Sequence, residues 1–173
     1  IATVAHMYNK SMAENNGKNK AVVFGKVLNN EQKKMIVWDV ERGAPDEIQE
    51  LPWQTCTCIG SWHYDKHVYL NEGYKKPEDV IRMLVDVVSK NGNLLLNVPV
   101  KGNGSIDPLE RAVIEKIADW MQVNGESIFG TRPWRVYGEG PSVDVKNPIN
   151  AQGFNEGRVK WSSKDIRFNK KGK

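Results

Sequence analysis

Glu41 is the side chain whose neighbours best fit it for chemistry. It ends the apolar run Met35-Ile36-Val37-Trp38-Asp39-Val40-Glu41 and opens the long irregular stretch from Arg42 to Ser61. A carboxyl held among Trp side chains, away from bulk water, keeps its proton toward neutral pH and can act as a general acid. The competing reading is an ordinary ion pair with Arg42 or a neighbouring loop. Asp39 alternates with Glu41 along the run, so both carboxyls can face one side of a strand. The second concentration of chemistry is Trp53-Gln54-Thr55-Cys56-Thr57-Cys58-Ile59-Gly60-Ser61-Trp62-His63-Tyr64. Aromatic faces interleaved with hydrogen-bonding groups suit a sugar, whose C–H face stacks on a ring while polar groups fix its hydroxyls. For Trp53 a buried aromatic is the simpler reading. For Trp62 burial and sugar contact both stay open.

Other candidates are weaker. His63 and His67 have the step of a helical zinc pair, but no Glu stands between them as an HExxH site requires. Cys56 and Cys58 form Cys-x-Cys, which is neither a CxxC redox motif nor half of a zinc knuckle, and they read as buried thiols. No metal site is expected. Gly102-Asn103-Gly104 beside Lys101 could cradle a phosphate at a helix start. Asp107 already brings a carboxylate to that helix end, so a tight turn between strand and helix is the better reading.

These residues need elements to hold them. Ile1, Val4, Ala5, Tyr8 and Met12 are spaced for a helix over residues 1–13, stopped by Asn15-Asn16-Gly17. Ala21-Val22-Val23-Phe24-Gly25 and Met35 to Glu41 read as strands buried on both faces, as in a helix-covered parallel sheet. Pro77-Glu78-Asp79 opens a helix whose stripe is Val80, Ile81, Leu84, Val85 and Val88. Asn91-Gly92 ends it, and Asn93-Leu94-Leu95-Leu96-Asn97-Val98 follows as a strand. Asp107, Pro108 and Glu110 form a helix start with a capping box, and Val113, Ile114, Ile117, Ala118, Trp120 and Met121 face inward. This alternation predicts an α/β fold with a parallel sheet. Residues 138–160 are rich in Gly, Pro and Asn and read as a linker. Residues 158–169 read as short strands of an all-β region.

Composition sets the limits. The chain has 173 residues, is 39% hydrophobic and 27% charged, and carries a net charge of +4. Those values fit a folded domain, and the charge is too small to argue for nucleic acid. No run of about 18 apolar residues offers a membrane span. Two cysteines cannot build a disulfide scaffold. The first residue is not Met, and the expected helix begins at Ile1, so the chain is expected to be a piece of a longer polypeptide.

Three ordered segments carry a resemblance. Trp53-Gln54-Thr55-Cys56 with Ile59-Gly60-Ser61-Trp62-His63-Tyr64 resembles a "W-E/Q-x-x … S-W-x-Y" loop. Leu84-Val85-Asp86-Val87-Val88-Ser89-Lys90-Asn91-Gly92-Asn93-Leu94-Leu95-Leu96-Asn97 resembles an "LV-x-x-VS-x-x-GN-LLLN" signature. Trp120, then Asn124-Gly125-Glu126-Ser127-Ile128-Phe129-Gly130-Thr131-Arg132-Pro133, resembles "W-x-x-x-NGE-x-IYGT-x-P". All three are similar to α-L-fucosidases of glycoside hydrolase family 29. The resemblance implies that residues 1–137 form the C-terminal half of a TIM-like (β/α)8 barrel. Residues 138–173 would then be a linker and the first strands of a β-sandwich.

It further implies an exo-hydrolase that removes terminal α-L-fucosides with retention, without a cofactor. The family's nucleophilic Asp motif has no counterpart here and is expected upstream. Two positions compete for the acid/base: Glu41, and the residue after Trp53. The latter is Gln54, whose amide cannot give and retrieve a proton, so the resemblance assigns Glu41. Trp62 corresponds to an aromatic that packs on fucose, and Lys26 to a basic residue that reaches the sugar or the nucleophile. The expected partners are a fucosylated glycan and the remainder of the same polypeptide, with no nucleic acid. The expected location is secreted, periplasmic or lysosomal. The alternatives are a non-catalytic carbohydrate-binding barrel or another retaining glycosidase.

Overall fold

The computed structural model describes residues 2–150 and 153–172. Ile1, from which the first helix was expected to start, and Lys173 lie outside the described residues. Helix α1 (Ala2–Glu14) buries little beyond Ser11. Its stop is as expected: Asn16 and Gly17 both take positive φ, and the Gly17 N–H returns to the Met12 carbonyl at 2.9 Å.

Strands β1 (Phe24–Gly25), β2 (Val37–Glu41), β3 (Trp53–Cys58) and β4 (Gly92–Asn97) form a parallel sheet in that order. A single turn, α2 (Asn30–Lys33), lies between β1 and β2. It is closed at its start by a reciprocal Asn29–Gln32 capping box. A short helix, α3 (Lys66–Leu70), and the longer α4 (Pro77–Ser89) join β3 to β4. Helix α5 (Pro108–Asn124) follows β4, and Asp107 accepts from the Leu109 and Glu110 N–H groups at its start. The fold is α/β with a parallel sheet, as the sequence predicts.

Register decides what each face carries. Trp38, Val40, Trp53, Thr55, Thr57, Leu94 and Leu96 alternate onto one face, where the helices pack. Val40, Trp53 and Val87 form one buried cluster there, and Ile59, Val80 and Val113 form a second. Each such apolar side chain taken from water stabilises by roughly 1.5–3 kcal/mol. Gly92 belongs to this packing: a Cβ there would sit 2.6 Å from the Trp53 ring. The indole N–H of Trp53 meanwhile donates to the Lys90 carbonyl at 2.9 Å.

The opposite face carries Asp39, Glu41, Gln54, Cys56, Cys58, Asn93, Leu95 and Asn97. Burial on both faces is therefore corrected for β1 and β4: Phe24 is 48% and Leu95 54% exposed, while Cys56 and Cys58 of β3 stay buried on that side.

Part of the stretch that reads as a linker packs on the sheet. Among the described residues the β2–β3 crossing has no helix, and residues 147–150 and 153–156 pack over the sheet there. Ile149 joins the Val40–Trp53–Val87 cluster. The buried Asn155 accepts from the Ala44 N–H and donates to the Ala44 carbonyl, each at 2.9 Å. Gly153, at φ +117°, lies so close to the chain that a Cβ would meet the Glu41 backbone at 2.7 Å. Polar side chains here satisfy backbone rather than solvent, which composition alone does not reveal.

Strands β5 (Thr131–Glu139) and β6 (Ile166–Lys171) pair antiparallel, with the turn α6 (Pro141–Asp144) between them. β5 runs through position 137, where the sequence reading sets a boundary. Of the strands expected within 158–169, the part from Ile166 is found. A buried ionic knot ties the pair to α4: Arg167 Nε lies 2.7 Å and Lys90 Nζ 2.8 Å from the Asp86 carboxylate.

Candidate active site

The carboxyl ends of β1 and β2 and the body of β3 bring Lys26, Asp39, Glu41, Gln54 and Cys56 together on one face. Lys26 follows β1 directly. Its ammonium lies 2.8 Å from Asp39 Oδ2 and 2.8 Å from Glu41 Oε2. Register sets Asp39 beside Gln54 and Glu41 beside Cys56. The Gln54 amide donates to Asp39 Oδ1 at 3.2 Å, and the Cys56 thiol lies 3.4 Å from Glu41 Oε2. Lys26 also donates to the Cys56 sulfur at 3.0 Å.

Two carboxylates thus share one ammonium in a half-open setting. The Asp39 and Glu41 side chains are 13% and 18% exposed. Burial alone would lower the Lys26 pKa, but hydrogen bonds to Asp39, Cys56 and Glu41 outweigh it and raise the pKa well above its ordinary value. Burial pushes the Cys56 thiol up, against the opposing pull of Lys26, so it stays protonated at neutral pH.

The surroundings of Glu41 differ from the sequence expectation. Trp38 and Trp53 sit on the helix-covered face with ring centroids 6.3 Å apart, so an ammonium and a thiol, not indoles, flank the carboxyl. Strand alternation is the reason, since Trp38 and Glu41 are three apart and point to opposite sides. Of the competing ion-pair reading, the Arg42 form is not found, since Arg42 takes φ +47° and its Nε turns to Glu156 at 2.7 Å, but the neighbouring-loop form is: Lys26, just after β1, pairs with Glu41 at 2.8 Å.

Trp62 lies in the loop after β3 and is 40% exposed. The Asn97 side chain, at the end of β4, donates to the Trp62 carbonyl at 3.1 Å and holds this loop at the carboxyl edge of the sheet. Trp53 is buried, matching the simpler reading. Gly102–Gly104 forms a turn closed by Gly104 N–H to Lys101 O at 2.8 Å. No cluster of three or more His, Cys, Asp or Glu that could hold a metal occurs among the described residues.

Sequence reasoning named Glu41, Lys26 and Trp62 but gave Cys56 and Gln54 no part in the cluster. The signal was available: Gln54 and Cys56 alternate along β3 as Asp39 and Glu41 do along β2.

Comparison with known proteins finds relatives of the chain. Residues 2–126 match the family model described as alpha-L-fucosidase. The tissue alpha-L-fucosidase of Homo sapiens is 33% identical over 107 residues, covering 61% of this chain and 23% of that protein. The crystal structure of alpha-L-fucosidase from Vibrio sp. strain EJY3 superposes with a TM-score of 0.60 at 25% identity, over 78% of this chain and 23% of that one. An alpha-L-fucosidase from Bacteroides thetaiotaomicron, solved as a trapped covalent intermediate in complex with 2-fluoro-fucosyl fluoride, superposes with a TM-score of 0.51 at 27% identity. That match covers 56% of this chain and 24% of the other. The chain spans about a fifth of the length of the curated relatives it matches. With the family model spanning most of its length, the chain belongs to the alpha-L-fucosidase family.

Proposed function

We propose that the chain is part of an exo-α-L-fucosidase that hydrolyses terminal α-L-fucosides with retention, and that Glu41 is its general acid/base. The supporting observation is the position of Glu41: a half-buried carboxyl at the carboxyl end of a parallel strand, on the face that carries the polar cluster. In open parallel α/β architectures and barrels, reactive groups sit at these strand ends. The parallel order β1-β2-β3-β4 suits half of a (β/α)8 barrel, with the β5–β6 pair leading toward a β-sandwich.

In this reading the nucleophilic Asp belongs to the preceding part of the polypeptide and lies about 5–5.5 Å from the Glu41 carboxyl. It attacks the anomeric carbon while Glu41 protonates the departing oxygen. Glu41 then takes a proton from the water that releases fucose. The covalent intermediate trapped in the Bacteroides enzyme supports this double displacement. Lys26 holds the carboxylates in place and reaches the sugar, and Trp62 packs on an apolar edge of fucose. The tissue and plasma relatives support a secreted, periplasmic or lysosomal setting.

Substitution Glu41→Gln in the full-length enzyme tests the assignment. Loss of general acid catalysis lowers kcat/KM by about 10²–10⁴-fold on fucosides with poor leaving groups. Activated aryl fucosides, which need little protonation, lose far less, and azide partly restores their turnover.

A further inference from the structure

We propose that Cys56 is a positioning residue for Glu41: its thiol and the Lys26 ammonium together fix Oε2 and leave Oε1 as the oxygen that carries the transferred proton. The inference rests on reading Glu41 as the acid/base.

Among the described residues, the contacts to the Glu41 carboxylate all fall on one oxygen. Lys26 Nζ lies 2.8 Å and Cys56 Sγ 3.4 Å from Oε2. A carboxyl whose two oxygens were equally free could rotate and present either one. Two donors on a single oxygen remove that freedom. Cys56 is suited to this by register, since it lies directly beside Glu41 in the adjacent parallel strand.

Its sulfur is also part of a relay. Lys26 donates into Sγ at 3.0 Å, so the thiol hydrogen is left for an acceptor on the other side. The two acceptors within reach are Glu41 Oε2 at 3.4 Å and the Val40 carbonyl at 3.8 Å, and the Glu41 oxygen is the nearer. Burial keeps the sulfur a thiol, and only a thiol can donate. The Cys56 residue is 6% exposed, so water cannot readily replace it at Oε2.

The proton balance follows. In the first step the nucleophile bonds to the anomeric carbon, and the bond from that carbon to the leaving oxygen breaks. The Oε1 proton passes to that oxygen. In the second, water oxygen bonds to the anomeric carbon, the bond to the nucleophile breaks, and a water proton returns to Oε1. The thiol and the ammonium keep their own protons throughout.

The test uses aryl α-L-fucosides of graded leaving-group acidity in the full-length enzyme. Misplacing the acid by a fraction of an ångström in Cys56→Ala lowers kcat/KM about tenfold on the poorest leaving groups and about twofold or less on activated ones. Cys56→Ser keeps a donor in nearly the same place and recovers most of the loss. Cys56→Val, which fills the site without a donor, behaves as the Ala variant and serves if Ala fails to fold. Equal loss on all substrates, or no recovery in Ser, overturns the positioning role while leaving Glu41 untouched. If Glu41→Gln itself shows no dependence on the leaving group, the acid/base reading fails first and this inference falls with it. In the Glu41→Gln background, Cys56→Ala adds no further leaving-group dependence.

Discussion

The two faces of the sheet carry charge clusters of similar composition and opposite design. On the uncovered face, two carboxylates, Asp39 and Glu41, share the single Lys26 ammonium. On the helix-covered side, the Glu156 carboxylate meets two cations, with Arg42 Nε at 2.7 Å and Lys75 Nζ at 3.3 Å. The Thr57 hydroxyl donates to it at 2.7 Å. The first cluster keeps surplus acid, two carboxylates against one ammonium. The second surrounds its acid with donors, two cations and a hydroxyl on one carboxylate. One strand supplies the division: Cys56 faces the open cluster, and its neighbour Thr57 faces the closed one. The balance of partners, not residue type, is what separates the two clusters.

The contrast can be broken from either side. Removing the ammonium with Lys26→Met leaves the two carboxylates facing each other without their shared donor. Fucosidase turnover of the full-length enzyme is expected to fall on the order of a hundredfold, about the cost of deleting one well-placed donor in an active site. Its melting temperature falls only modestly, because each carboxylate keeps another donor, Gln54 for Asp39 and Cys56 for Glu41. A large loss of stability with unaltered kinetics would reverse the roles of the two clusters.

Glu156→Ala strikes the other side. It strands Arg42 and Lys75 and frees the Thr57 hydroxyl, at a cost of about 2 kcal/mol in unfolding free energy. kcat and KM stay close to the parent values. Urea unfolding monitored by Trp fluorescence measures the loss.

The smallest effect sharpens the comparison through pH. Burial alone would raise the Glu156 pKa, but hydrogen bonds from Arg42 and Thr57 and the charge of Lys75 hold it below the ordinary value. A depressed folded value favours the native state wherever the unfolded carboxyl, near about 4.3, is ionised. That contribution is complete above this range and is lost as pH falls through the lower folded value. Acid melting curves should therefore fall less steeply in Glu156→Ala than in the parent. A parallel decline in both would remove Glu156 from the account.

Much of this arrangement was legible in the residue order. The stop at Asn15-Asn16-Gly17, the Pro77 helix, the Asp107 cap and the strand expected from Asn93, found one residue earlier from Gly92, all follow local rules that the chain obeys. The open face was not legible. Periodicity reports how apolar a strand is, and Leu94-Leu95-Leu96 reads as buried on both sides although Leu95 is exposed. The role of residues 147–150 and 153–156 was hidden for a different reason. Asn and Gly mark loops, and nothing in composition distinguishes a solvated loop from one whose Asn155 and Gly153 pack tightly on a distant strand. At the site, Glu41 and Lys26 were found one by one. Their shared contact depends on strand register, which a single sequence does not encode at β1, a strand of two residues.

The central claim is that Glu41 moves the proton. Its most direct measurement is kcat/KM of Glu41→Gln in the full-length enzyme against aryl α-L-fucosides of graded leaving-group acidity, with and without azide. The account predicts a steep dependence on the leaving group and azide rescue of the activated substrates. A uniform loss across the series, with no azide effect, would contradict it.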